Sequence, residues 1–345
     1  ADQSELDALC QVLGEFNRIL QIVHEFYDAD MTIARIDQLA EISLKHKITT
    51  TFSPLFVNAI EEDSVTRVMD RVDEQFIRGA RVWPQVQTRP IDISFCFEIP
   101  SLLFIRLPSW YQIMRFGSKE DIKAAFKDEA NRKKLVAEAE TLAPLWETLV
   151  LRQVDSDTNQ HFVGKTLSEI AAKRNTSTID TMIDLSLEEN LQAHFLASNM
   201  GHTDNNIVGN LLANPRVHLG ASDGGAHILS FSTYGDTGYL FSQFVRNCKA
   251  LTVEEAVKKI TLDTASIWGM KNRGLLHPGY AADITIFDPN KIDRGEEYYV
   301  RDVPGEGSRY IRDSKGIDTV IIGGEIAYSG GKYTDSAVGS IIQGN

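Results

Sequence analysis

IARIDQLAEISLKHKITTTFSP, residues 33–54, reads as a helix followed by a strand. From Ile33 to Leu44 the apolar residues recur at helical spacing; from Ile48 to Phe52 β-branched threonines take over, and Ser53 and Pro54 close the run. The same pair stands before it. Leu6, Leu9, Val12, Leu13 and Phe16 mark a helix over Ser4 to Leu20, and Leu20 to Val23 is a short apolar run of strand length. It also stands after it, as a polar helical stretch from Ser64 to Gly79 and a strand-like run from Arg81 to Gln87. Val217 to Ala221 makes a fourth strand, ending in S-D-G-G. Strands alternating with helices at these distances predict right-handed parallel β-α units. The expected class is therefore α/β, with four strands forming half of an eight-stranded barrel or a small open sheet.

Between the third and fourth strands lies a long helical insertion, at about residues 100–205. Its predicted helices are Ser118 to Glu140, opening on a capping-box-like Ser118 and Asp121, then Leu167 to Ala172 and Thr178 to Leu187. Beyond the fourth strand, Thr252 to Thr261 and Asp263 to Met270 read as helices. From Gly274 the pattern turns to strands: Asp283 to Phe287, then Ile317 to Ile322 and Glu325 to Ser329 joined by Gly323-Gly324 as a hairpin. The expected division is a barrel domain over 1–273 and a small β domain over 274–345.

With 345 residues, 43% hydrophobic and 24% charged, the chain can bury a sizeable core. A net charge of -13 repels phosphate backbones, so nucleic acid is not an expected partner. No apolar run approaches the roughly 20 residues of a membrane span, and ADQSELDALC lacks the pattern of a secretory leader, so no membrane partner is expected either. Cys10, Cys96 and Cys248 are widely separated and read as buried thiols. Together these features lead to an expected cytoplasmic location.

The local candidate for chemistry is A-S-D-G-G-A-H, Ala221 to His227. A carboxylate at the C-terminal end of a parallel strand projects into the mouth where barrel active sites assemble, and Asp223 occupies that position. One carboxylate there can bind a divalent metal and accept a proton from its water; the plainer alternative is a turn or N-cap aspartate. His227 follows on the same loop as a candidate substrate contact or a buried hydrogen-bonder. His24 directly follows the strand Leu20 to Val23, so it too stands at the mouth, as a neutral imidazole suited to zinc or as a structural residue. The remaining histidines, at 46, 161, 194, 202, 218 and 277, show no ligand-like spacing. No H-x-H, H-E-x-x-H, Walker A, G-x-S-x-G or dinucleotide fingerprint is present.

NPRVHLGASDGGAH (214–227), LTVEEAVKKITLDTASIWGMKNRGLLHPGYAADITIFDP (251–289) and VPGEGSRYIRDSKGIDTVIIGGEIAYSGGKYTD (303–335) together resemble the C-terminal third of N-acyl-D-amino-acid deacylases of the amidohydrolase superfamily. The resemblance is clear over 205–345 and looser over 1–100. It implies the second half of a (β/α)8 TIM-like barrel, strands five to eight, with a small C-terminal β-sandwich and one or two zinc ions at the mouth. It implies hydrolysis of an N-acyl-D-amino acid through a metal-activated water, with Asp223 as metal ligand and proton shuttle and His24 as metal ligand. Arg89, Arg246 and Arg309 are candidates to fork onto a substrate carboxylate.

Two departures qualify this. Where the family carries a histidine after strand six, this chain has Phe52-Ser53-Pro54, and the H-x-H of the first barrel strand is absent. Roughly two hundred further residues, from a preceding segment or another chain, are expected to complete the barrel, because open strand edges invite aggregation. A homo-oligomer is expected. The alternatives are a non-catalytic assembly subunit and a cyclic-amide hydrolase similar to dihydroorotases or hydantoinases.

Overall fold

The computed structural model describes residues 3–23, 28–56, 63–99, 101–220, 222, 235–305 and 307–342. Helix α1 (Gln3–Glu15) leads into β1 (Leu20–Val23), and α2 (Ala29–His46) into β2 (Thr50–Ser53). Asp28 starts α2 by accepting the Asp30 and Met31 amides at 2.7 and 3.2 Å, which satisfies donors that the first helical turn leaves open. Helix α3 (Ser64–Ile77) precedes β3 (Val82–Val86). These strands pair in parallel, β1 with β2 and β2 with β3. β2 is buried throughout, as expected of an inner strand covered on both faces. The expected β-α order is thus observed, with strand ends displaced by a residue or two.

After β3 the chain enters the insertion. It is not only helical. Strands β4 (Ile93–Phe95), β5 (Val150–Gln153) and β6 (His194–Ala197) form an antiparallel sheet in the order β4-β6-β5. Its helices are α4 (Pro108–Phe116), α5 (Lys119–Lys127), α6 (Glu129–Ala139), α7 (Ala143–Thr148), α8 (Leu167–Arg174) and α9 (Thr178–Glu188). The single helix expected over Ser118 to Glu140 is two, because Asp128 leaves helical geometry and its carboxylate accepts the Asn131 amide at 2.8 Å, starting a new helix. This segment has its own core, drawn wholly from within itself. Phe95, Phe97, Phe104, Trp110, Phe126, Trp146 and Phe195 pack ring on ring there, and the two indoles donate to the Leu135 and Ala139 carbonyls. The two ends of the insertion meet: Ile91 N–H donates to the Gly201 carbonyl at 3.0 Å and Met200 N–H to the Ile91 carbonyl at 2.8 Å.

Helix α10 (Asn205–Ala213) returns to β7 (His218–Leu219), which pairs in parallel with β3 and completes a four-stranded sheet β1-β2-β3-β7. Next come α11 (Asp236–Tyr239) with a π-helical continuation to Asn247, then α12 (Val253–Lys258), a π-helical turn to Asp263, and α13 (Thr264–Ile267). A second core lies between this sheet and its helices, with Ile36, Leu39, Phe52, Val72, Val82, Leu212 and Phe244 at its centre.

The described C-terminal residues form one four-stranded antiparallel sheet and a separate hairpin. The sheet joins β8 (Ile284–Phe287), β11 (Ile317–Ile322), β12 (Glu325–Ser329) and β13 (Lys332–Tyr333); the hairpin is β9 (Asp293–Val303) with β10 (Gly307–Lys315). The Gly323-Gly324 turn has φ of 59° and 90°, the left-handed pair that a two-residue hairpin needs. The hairpin clasps the insertion. Arg152 lies 3.4 Å over the Tyr310 ring and pairs with Glu297, Tyr310 Oη meets His194 Nδ1 at 3.2 Å, and Arg301 pairs with Asp155 at 3.0 Å. Cys10 and Cys96 are buried as expected, but Cys248 is exposed and receives a hydrogen bond from Gln243 Nε2.

Candidate functional site

Parallel strands deliver their chemistry at their C-terminal ends. In this sheet those ends are the cis Ser53-Pro54 bond after β2, Gln87 to Arg89 after β3, and Gly220 and Ser222 after β7. Inside the sheet, the Thr51 hydroxyl donates to the Trp83 carbonyl at 2.7 Å and accepts from Gln85 Nε2 at 3.0 Å. Its one proton is thereby used, so His218 Nε2, 3.1 Å away, is the donor to Thr51. His218 Nδ1 is then a buried lone pair with no partner among the described residues.

At the mouth, Arg89 is 3% exposed. Its Nε donates to Asp236 Oδ2 at 3.2 Å and its Nη2 to the Ser222 carbonyl at 3.0 Å. The Thr88 hydroxyl lies 3.0 Å from both Oδ1 and the backbone carbonyl of Asp236, so the first residue of α11 is held from two sides. A guanidinium out of water is tolerable only when paired and hydrogen-bonded, and Asp236 supplies that pairing. The result ties the end of β3, the end of β7 and the start of α11 into one polar lock.

Where the insertion rejoins, His202 is buried with φ of 57°, a left-handed conformation uncommon for histidine. Its ring meets Phe56 edge-on at 5.4 Å. Burial, and secondarily the charge of Arg89, lower its pKa to about 4, so the ring is neutral at pH 7. His218 is likewise lowered to about 4 by burial, with Lys259 adding to it.

Of the residues expected from sequence, Asp223, His24 and His227 lie outside the described residues. Their described neighbours are Ser222, which Arg89 holds, and Val23, the last residue of β1. Arg309 sits in β10 with both arms of its fork on Asp302 at 2.7 Å, and Arg246 donates to the Pro289 and Ile292 carbonyls. Of the three candidate arginines, Arg89 is the one seen to hold the residue that precedes Asp223. Sequence reasoning missed Thr88, Asp236 and His202. Each acquires its role from partners far away in the chain, and no local spacing announces it.

Among the described residues no three histidine, cysteine or carboxylate groups gather as a metal shell. The surroundings still suit a divalent ion. Asp236 offsets the charge of Arg89, which alone would repel a cation, and burial keeps His202 and His218 uncharged. A carboxylate and an imidazole, the groups of Asp223 and His24, are donor types zinc accepts.

Parallel β-α units with polar groups gathered at the strand ends define a β/α enzyme scaffold. The Amidohydrolase family model matches residues 125–328, and the chain belongs to that family. An uncharacterized protein of Mycobacterium tuberculosis is 27% identical over 187 residues, 51% of this chain and 30% of that protein. The N-acyl-D-aspartate deacylase of Alcaligenes xylosoxydans xylosoxydans is 30% identical over 98 residues, 28% of this chain and 18% of that enzyme. In fold, the chain is similar to a crystal structure of D-aminoacylase, with a TM-score of 0.60 at 16% identity, covering 99% of this chain and 59% of that one. It is also similar to the N-acyl-D-glutamate deacylase of Bordetella bronchiseptica, complexed with zinc and a phosphonate inhibitor, with a TM-score of 0.56 at 18% identity, covering 95% and 56%. The chain thus spans little more than half the length of these structures.

Proposed function

We propose that this chain is the part of a metal-dependent amidohydrolase that carries barrel strands five to eight, and that the whole enzyme cleaves a linear amide, N-acyl-D-amino acids being the substrate class. The observation that carries this reading is the lock of Arg89 on Asp236 and on the Ser222 carbonyl, one residue before Asp223. A buried ion pair at a strand mouth is a poor way to gain stability; it is a good way to fix the backbone from which a reactive carboxylate emerges.

In this reading Asp223 and His24 hold one or two divalent ions of the zinc class. Such an ion, when bound, would supply Lewis-acid polarisation of the acyl carbonyl and a more acidic water. The Asp223 carboxylate would take the proton released and return it to the departing amine, while His227 and Arg89 contact the substrate; Arg309, whose fork is held by Asp302, is not given that part. The outer edge of β1, where Val23 is 71% exposed, receives the remaining strands from a preceding segment or another chain.

A substrate panel tests the class. N-acetyl-D-amino acids should be hydrolysed in preference to their L forms and to cyclic amides such as dihydroorotate and hydantoins. Turnover confined to the cyclic amides would replace this reading by the cyclic-amide one, and a zinc-free, inactive assembly would replace it by a scaffolding role.

A further inference from the structure

We infer that His218 is a positioning residue: through Thr51 it fixes the register of the edge strand β7, and with it the point from which the chain beyond Ser222 departs. β7 holds only His218 and Leu219, and just two residue pairs, Gln85 with His218 and Val86 with Leu219, register it against β3. So short a ladder specifies register weakly, and a slip of one residue turns every following side chain to the other face. Side chains must supply what the ladder lacks.

Three of them meet in one layer. Thr51 pairs with Trp83 and His218 with Gln85 in the parallel register, so Thr51, Gln85 and His218 share a face, while the alternate residues Phe52, Val82 and Val86 enter the core under the helices. His218 Nε2 lies 3.1 Å from the Thr51 hydroxyl although β3 runs between their strands. Second-neighbour strands of a flat sheet are roughly 9–10 Å apart, so these two side chains meet only on the concave side of a curved sheet. The hydroxyl donates to the Trp83 carbonyl and accepts from Gln85 Nε2, which fixes His218 in its Nε2–H tautomer. A Cβ on Gly220 would lie 3.0 Å from the Gln85 Cβ, so glycine lets β7 close onto that side chain.

His218 Nδ1 is a buried lone pair with no partner among the described residues. An apolar ring would fill the layer without that cost, so stability alone does not account for a histidine here. What the imidazole adds is a directional bond that ties β7 to a strand it does not pair with. Asp223 follows Ser222 in the chain, so the inference rests on the amidohydrolase reading and adds to it the residue that sets where the carboxylate-bearing segment starts.

The test compares the complete zinc-loaded assembly in wild type, His218→Phe, His218→Gln and Thr51→Val. His218→Phe leaves no donor unmet, so the fold is kept. Hydrogen exchange at Gly220, whose N–H donates to the Val86 carbonyl at 3.0 Å, should become about tenfold faster in it. Its kcat on N-acetyl-D-amino acids should fall about tenfold to a hundredfold, with KM and bound zinc unchanged. Thr51→Val, which removes the acceptor, should match it, and His218→Gln, which keeps a donor for Thr51, should recover most of both losses. Unchanged Gly220 exchange in His218→Phe and Thr51→Val overturns the inference, as does faster exchange at an unaltered kcat. No recovery in His218→Gln makes His218 a packing residue and overturns it too. If exchange responds as stated but the wild-type assembly hydrolyses none of these amides, the hydrolase reading falls and the anchoring of β7 by His218 stands.

Discussion

Arg89 does two jobs with one guanidinium: it neutralises a buried carboxylate and fixes a loop carbonyl. Arg89→Ala strands Asp236, 7% exposed, without its counter-ion. That should cost about 3–5 kcal/mol in urea unfolding, the range for breaking a buried pair from one side; a loss below about 1 kcal/mol would mean that the pair is not buried in solution. The buried histidines give a second residue-level prediction. Burial lowers His194, His202 and His218 from 6.5 to about 4. The unfolded chain therefore binds more protons than the folded one between those values, and the stability these rings contribute is full above pH 6.5 and lost as pH falls toward 4. His218→Gln should flatten the dependence of unfolding free energy on pH in that window by about 1 kcal/mol per pH unit; an unchanged slope would mean that His218 titrates normally in the fold. At this scale the sequence was only partly legible. Arg89, at the end of its strand, could be singled out as a candidate. Asp236 and His202 could not, because an aspartate and a histidine in polar loops carry no mark of the distant groups they will meet.

The elements were more legible than the residues. Apolar spacing over Ile33 to Leu44, threonines over Thr49 to Thr51 and the paired glycines at 323–324 each have one local physical reading, and the structure has α2, β2 and the β11–β12 turn there. Where reading failed, two local signals competed. Asp128 lies inside a helical pattern but caps better than it propagates. Strands β5 and β6 are short and mixed, and become strands by pairing across the insertion, β6 with both β5 and β4. One link between elements was also invisible: Lys259, in the π-helical turn, donates to the Asn214 and Val217 carbonyls that flank the entry to β7. Its pKa is lowered to about 8 by burial. Lys259→Met removes both bonds and leaves the buried Val217 carbonyl unmet, while the Asn214 carbonyl keeps the Val217 N–H at 3.3 Å; this should cost about 1–3 kcal/mol and raise amide exchange in β7. No change in either would remove Lys259 from the support of that strand.

The described residues form two large cores, one under the parallel sheet and one inside the insertion, bridged by the β9–β10 hairpin, and a small third cluster of Cys10, Ile42 and Ile48. The parallel half was foreseeable from the repeat of helix and strand, and so was the change of character near Gly274. The insertion's own sheet was not, because it depends on pairing between segments far apart in the chain, and the hairpin, though local, is built of mainly polar strands without a clear apolar alternation. Leu9, Val12, Phe16 and Val23 stand exposed along α1 and β1, an apolar flank beside an open strand edge. The central claim concerns what the sheet presents at its mouth. The most direct measurement is the rate of N-acetyl-D-amino-acid hydrolysis by the complete zinc-loaded assembly, with Asp223 intact and with Asp223→Ala. The account predicts turnover in the first and loss of at least a thousandfold, about 4 kcal/mol, in the second at unchanged thermal stability. Undiminished turnover by Asp223→Ala would contradict it.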